Sequence, residues 1–172
     1  MTLPTRCLGL PVLNLGCEIR LIDVADWDEW LRMRRVLWPE CSKARHRIEM
    51  NETLSLPEIR AVLVLERSEA RLGGFLEIQI RKAVNNAAAQ FVAYVEGWFV
   101  DEDLRRRGWG GKLLAAAEAW ATEHGLREIA SDTEMNNAAS IQAHRRLGFE
   151  ESYRLVHFLK EITSPKRTDE PD

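Results

Sequence analysis

The chain has 172 residues, with 24 Lys and Arg against 27 Asp and Glu, so its net charge is −3. Its 45% hydrophobic and 30% charged residues make an ordinary globular mixture, enough to bury a core without a disulfide or metal staple. This excludes collagen-like and low-complexity classes and, as a default, a strongly basic nucleic-acid binder.

Residues 1–16 read as an irregular lead. Pro4 and Pro11 break its apolar character and no small-residue cleavage site follows, so a signal peptide is not expected. No apolar run approaches the ~20 residues of a membrane-spanning helix, so no membrane partner is expected. Cys7, Cys17 and Cys41 are an odd set without CxxC, and HExxH is absent, which predicts reduced thiols, a cytoplasmic chain and no metal site.

Residues 17–22 alternate as a strand does. Asp23 or Asp26 can cap a helix carrying Trp27, Trp30, Leu31, Arg34 and Leu37 at helical spacing, and Pro39 ends it at Trp38. Arg32, Arg34 and Arg35 read as its solvated face. A polar helix over 42–54 and an apolar strand over 61–65 follow. The next strand, 71–81, contains Gly73-Gly74, which permit a bulge. After a turn at Asn85-Asn86 comes a long strand over 90–100. The second half reads as a helix over 110–124 with Leu113, Leu114, Ala117, Trp120 and Ala121 buried, then a strand over 128–131. A helix over 137–147 and a last strand over 150–160 complete it. Residues 163–172 are polar with two prolines and read as a disordered tail. The order predicts one α/β (α+β) domain over 17–162, a mixed central sheet flanked by helices.

The most informative stretch joins the long strand to the following helix: Arg105-Arg106-Arg107-Gly108-Trp109-Gly110-Gly111-Lys112. The glycines let backbone N–H groups converge on an anion, the helix N-terminus adds partial positive charge, and four basic side chains surround it. A diphosphate is the natural ligand, and a basic surface turn is the plain alternative. The pattern is not a Walker loop, because GxxxxGK[ST] is missing.

Arg105-x-x-Gly108-x-Gly110 resembles the (Q/R)xxGx(G/A) loop of the GNAT acetyltransferase superfamily. Asn137 to Phe149 is similar to that superfamily's second signature, NxxAxxxYxxxGF, with Ser140 for Ala and His144 for Tyr. The resemblance spans roughly residues 18–160. It implies a GNAT fold with splayed strands forming an acetyl-CoA cleft and a pyrophosphate held at residues 105–112. It also implies cofactor contacts at Asn137, Ser140 and His144, and a bulged strand near Phe99 and Val100 whose free N–H polarises the acetyl carbonyl.

Direct acetyl transfer to an amine needs a base, a polarised carbonyl and a proton or counter-charge for the departing thiolate. Asn137, Ser140 and His144 share one helix face, and His144 is the candidate acid. His46, His124 and His157 lack such a context and read as structural. Glu96 and Asp132 are candidate bases. Without the resemblance, these read as a packed histidine, a surface strand residue and a turn cap.

Leu37-Trp38-Pro39, Val95-Glu96-Gly97-Trp98-Phe99-Val100 and Ala130-Ser131-Asp132-Thr133 together resemble the aminoglycoside 6'-N-acetyltransferases. That likeness implies Trp38, Glu96 and Asp132 at an aminoglycoside site, a small-molecule amine acceptor and a homodimer. Basic residues 42–47, the missing tyrosine of the turn at 83–86 and Tyr153 in place of an acid depart from the pattern and weaken the acceptor assignment. The alternatives are another small amine or polyamine, a non-catalytic acyl-CoA-binding module, and nucleic-acid binding through Arg32, Arg34 and Arg35.

Overall fold

A computed structural model describes residues 17–67, 71–83 and 88–161. Five strands form one sheet in the order β1 (Glu18–Leu21), β2 (Arg60–Glu66), β3 (Leu72–Lys82), β4 (Phe91–Val100) and β5 (Ile129–Ser131). The first four pair antiparallel, and β5 lies parallel to β4. Helices α1 (Trp27–Leu37) and α2 (Lys43–Leu54) follow β1, α3 (Trp109–Glu123) joins β4 to β5, and α4 (Ala138–Arg146) follows β5. The predicted irregular lead and tail lie outside the described residues, as does the turn at Asn85-Asn86.

Local chemistry accounts for the boundaries. Asp23 starts the turn into α1 with a capping box, accepting from Ala25 N while its own N–H donates to Asp26. Ser42 and Asn137 cap α2 and α4 through their side chains. Gly73 is the extra residue where Leu65 pairs with Gly74 but Glu66 pairs with Leu72, so the predicted glycine bulge is present.

Strand alternation divides the core between the two sheet faces. On one face Leu63, Leu65, Leu76, Ile78, Ala93 and Val95 pack against Leu113, Leu114, Ala117 and Trp120 of α3. On the other, Val62, Val64, Phe75 and Phe99 pack against Trp30, Leu31 and Met33 of α1 and Met50 of α2. Arg34 corrects the solvated-face reading: it is 3% exposed and reaches Glu77 in β3.

Two further expectations are corrected. The bulge expected near Phe99 and Val100 lies earlier, because Glu77 pairs with Gly97 and Ile78 with Val95, which leaves Glu96 as the unpaired extra residue. The predicted last strand does not form: residues 150–161 run exposed and carry no strand. Apolar residues alternate there, but a strand is fixed by its partner and this segment has none in the sheet.

Candidate active site

The bulge turns β4 about its axis. Glu96 and Gly97 face the α1–α2 side, where Glu96 meets Gln79 and Arg81, whereas Trp98 turns to the α3–α4 side and meets His144. Gly97 has to be glycine, because a Cβ there would lie 2.5 Å from the Trp38 ring. Trp38 therefore rests directly on the bulge. Beyond Val95 and Ser131 the pairing of β4 and β5 stops, so the two strands part from that point.

On the α1–α2 side a cavity of about 900 Å³ is lined by Trp38 together with Glu40, Glu49, Glu52, Glu77, Glu96 and Glu134, and by Arg34 and Arg60. Glu77 is deeply buried and accepts from Trp30 Nε1 at 2.7 Å and from Arg34. Burial pushes its carboxyl up, and Arg34 and Trp30 oppose that shift. Arg34 also donates to Glu49 at 2.6 Å and lies 4.6 Å from the Trp38 ring centre, so it braces the tryptophan wall from behind.

The two carboxylates singled out in the sequence are linked through Tyr94. Its hydroxyl donates to Asp132 at 2.8 Å, and its ring carries the guanidinium of Arg81, which pairs with Glu96 at 3.0 Å. Burial and then the Asp132 carboxylate push the Tyr94 phenol well above its ordinary range, so it remains a donor. Glu96 lines the cavity, and Asp132 stands behind Tyr94.

On the opposite side lies the turn formed by residues 105–112. Arg105 Nε donates to the Val100 carbonyl at 2.9 Å, which folds the arginine stretch back on β4. Arg106 and Gly108 both have positive φ, 59° and 84°. A Cβ on Gly108 would meet nothing within 4 Å, so its backbone faces open space. The first backbone bond of α3 runs from Lys112 N to Gly108 O, leaving the N–H groups of Trp109, Gly110 and Gly111 in the unbonded first turn. Gly110 and Gly111 permit close packing against Trp98 and Leu147. Asp101, just before the turn, is clamped by Arg32 and Arg67 at 3.1 and 3.0 Å. Exposed Arg106 and Arg107 and unbonded N–H groups fit an anionic diphosphate. Phe99 belongs to the opposite core face, whereas Val100 packs on the α3 side.

His144 is held from every direction. Its Nδ1 lies 2.8 Å from the Ser140 carbonyl, so Nδ1–H donates there, and Nε2 lies 3.0 Å from Ser131 Oγ. The rings of Trp98 and Phe149 stand edge-on, 5.5 and 5.0 Å away. Asn137 is occupied as the α4 cap.

Cys41, His46 and Glu49 form a possible three-ligand cluster, their ligand atoms within 4.8 Å of one another. Guanidinium groups already occupy it: Arg34 and Arg45 both donate to Glu49, and Arg34 Nε donates to His46 Nδ1 at 3.4 Å. Burial, then Arg34, pushes the His46 imidazole down. The trio behaves as a hydrogen-bonded brace with cations already supplied.

Sequence reasoning missed Glu49, Glu52, Arg34 and His46 as cavity residues. The signal was present in part: His46, Glu49 and Glu52 repeat every third residue along α2. It was hidden by the basic residues around them.

A model of the acetyltransferase (GNAT) family matches residues 27–149, and the chain belongs to that family. It is an acetyltransferase. Among curated relatives, the aminoglycoside N(6')-acetyltransferase type 1 of Serratia marcescens is 37% identical over 145 residues, covering 84% of this chain and 99% of that protein. The protein of the same name from Klebsiella aerogenes is 38% identical over 146 residues, covering 84% and 96%. The solved aminoglycoside 6'-N-acetyltransferase AAC(6')-Ih of Acinetobacter baumannii superposes with a TM-score of 0.78 at 33% identity, covering 86% of this chain and all of that one. AAC(6')-Iy, solved with a CoA–acetylneamine bisubstrate analogue, gives a TM-score of 0.78 at 32% identity, covering 85% and 99%.

Proposed function

We propose that this enzyme transfers the acetyl group of acetyl-CoA to the 6'-amine of aminoglycosides, both substrates meeting where β4 and β5 part. The observation that carries the acceptor class is the cavity beside Glu96: its six carboxylates outnumber its two arginines, Arg34 and Arg60, and with one indole wall they suit an acceptor with several ammonium groups. The carboxylates of α2 offset the departures seen at residues 42–47. Glu96 or Asp132 takes the amine proton, with Trp38 as the ring wall. The carbonyl is polarised from β4, and His144 supplies the thiolate proton. Arg105 to Lys112 hold the pyrophosphate, with Asn137 and Ser140 on the same side.

Purified enzyme given acetyl-CoA and a panel of amines tests the reading. Turnover of tobramycin and kanamycin, modified at the 6'-amine, is the expected result. Turnover confined to spermidine or to monoamines would overturn the acceptor assignment, and binding without turnover would favour an acyl-CoA sensor.

We also place the active form as a homodimer in the cytoplasm. No described helix is long and apolar enough to cross a membrane. Leu155, Val156, Phe158 and Leu159 are 56–100% exposed, and among the described residues no strand pairs with the outer edge of β5. Such a strip is a liability in an isolated monomer, and a second copy would cover it. Light scattering that returns one chain's mass at micromolar concentration would reject the dimer.

A further inference from the structure

Ser131 is not among the residues that the sequence motifs nominate for chemistry, yet it occupies the last paired position before β4 and β5 part, opposite Val95. Its hydroxyl is 3.0 Å from Nε2 of His144. The other ring nitrogen is committed: Nδ1–H donates to the Ser140 carbonyl at 2.8 Å, one turn back on α4. The Ser140 hydroxyl also lies 3.3 Å from Nδ1, but a carbonyl can only accept and is the nearer partner, so Nδ1 carries the proton, Nε2 carries the lone pair and Ser131 donates to it.

A hydroxyl is the one common side-chain group that can reverse this role. With His144 neutral, Ser131 Oγ–H donates to Nε2. With His144 protonated, Nε2–H donates to a lone pair of Ser131 Oγ. The imidazole therefore keeps one position in both protonation states, clamped between the edges of Trp98 and Phe149. A backbone carbonyl at the same place could serve only the charged ring, and an N–H only the neutral one.

We propose that Ser131 is a positioning residue for acetyl transfer, holding Nε2 of His144 at the mouth of the strand opening through a hydrogen bond whose direction reverses with the ring's charge. The inference rests on the role given to His144 above. In the step served, the amine nitrogen forms the C–N bond, the C–S bond breaks with its electron pair going to sulfur, and the Nε2 proton of the imidazolium leaves its hydrogen bond with Ser131 Oγ and passes to that sulfur. The ring is left neutral and accepts from Ser131. The proton lost by the amine goes through a carboxylate to solvent, which later recharges the ring, so charge and atoms balance.

The experiment is a double-substitution cycle on the full chain, with tobramycin and acetyl-CoA and with melting temperatures recorded for each variant. Ser131→Ala is expected to lower kcat roughly threefold to tenfold, the scale of one neutral hydrogen bond, with KM for acetyl-CoA changed less than twofold. Ser131→Thr, which keeps the hydroxyl on a strand-favouring side chain, should restore turnover. In a His144→Ala background, Ser131→Ala should cost nothing further. An equal loss in both backgrounds, or no loss in the first, overturns the proposal. In the ligand-free protein, Ser131→Ala should move the Nε2 nitrogen resonance of His144 toward that of an unbonded lone pair while Nδ1 stays protonated; an unmoved resonance overturns it independently of turnover. The two readings fail separately: full turnover by His144→Ala removes the acid role itself, whereas loss there with an active Ser131→Ala removes only the part given to Ser131.

Discussion

Arg34 on α1 is 3% exposed and donates to Glu77, Glu49 and His46, whereas Arg106 and Arg107, in the turn before α3, stand in solvent. Both sets border a proposed substrate region, but they differ in what satisfies them. Arg34 has its counter-charges inside the fold and serves to hold an acidic wall in place. The turn arginines lie beside a helix N-terminus that adds further positive character, so their field extends outward to an anion. The near-zero net charge of the chain thus averages two regions of opposite sign.

The largest effect should come from breaking the buried set. Arg34→Met leaves Glu77 without its cation, and a destabilisation of about 3–5 kcal/mol is expected in denaturant titration. Arg106→Met or Arg107→Met should stay within about 0.5 kcal/mol of the parent. Similar losses for all three would erase the distinction between bracing and outward-facing arginines.

Next comes the turn itself. Gly108→Asp puts a carboxylate at the proposed diphosphate position and strains a φ of 84°. Acetyl-CoA affinity, measured by calorimetry, should fall about a hundredfold, from charge repulsion and lost backbone approach together. Affinity within a few-fold of the parent would detach this turn from the pyrophosphate.

The smallest effect sharpens the comparison by pH. The Arg20 guanidinium beside Asp26 holds its carboxyl below the usual range, helped by the Asp23 N–H. A carboxylate depressed in the folded state contributes fully above its unfolded pKa, about 3.9, and loses that contribution as pH falls toward the depressed folded value. Asp26→Asn should therefore cost about 1–2 kcal/mol at pH 7. The gap to the parent should narrow as pH falls below about 4. A gap constant over that range would mean that the charge on Asp26 is irrelevant.

Legibility from sequence followed the range of the interactions involved. The turn at residues 105–112 was readable because its glycines and arginines are contiguous and its geometry is local. The helices were readable from spacing and caps, and their ends move by one or two residues. The position of the bulge was not, because it is a property of how β3 and β4 align, and residues 96–100 alone do not contain it. The acidic wall was read only in part, since Glu49 and Glu52 reach the cavity through the packing of α2 on the sheet. Residues 150–161 misled for a related reason: alternation states which side chains could share a face, and a partner decides whether they do.

The extra residue at Glu96 also sets the parity of β4. Counting outward from Val95, every side chain up to Val100 is assigned to one face or the other by that single insertion. Regular alternation over the same residues, with no bulge, would carry the Trp98 indole from His144 to the Trp38 side, whereas deleting Glu96 itself would leave Trp98 where it is. The acidic wall and the aromatic seat of His144 are thus kept on opposite faces by one extra residue in one strand, a form of information that no single side chain carries.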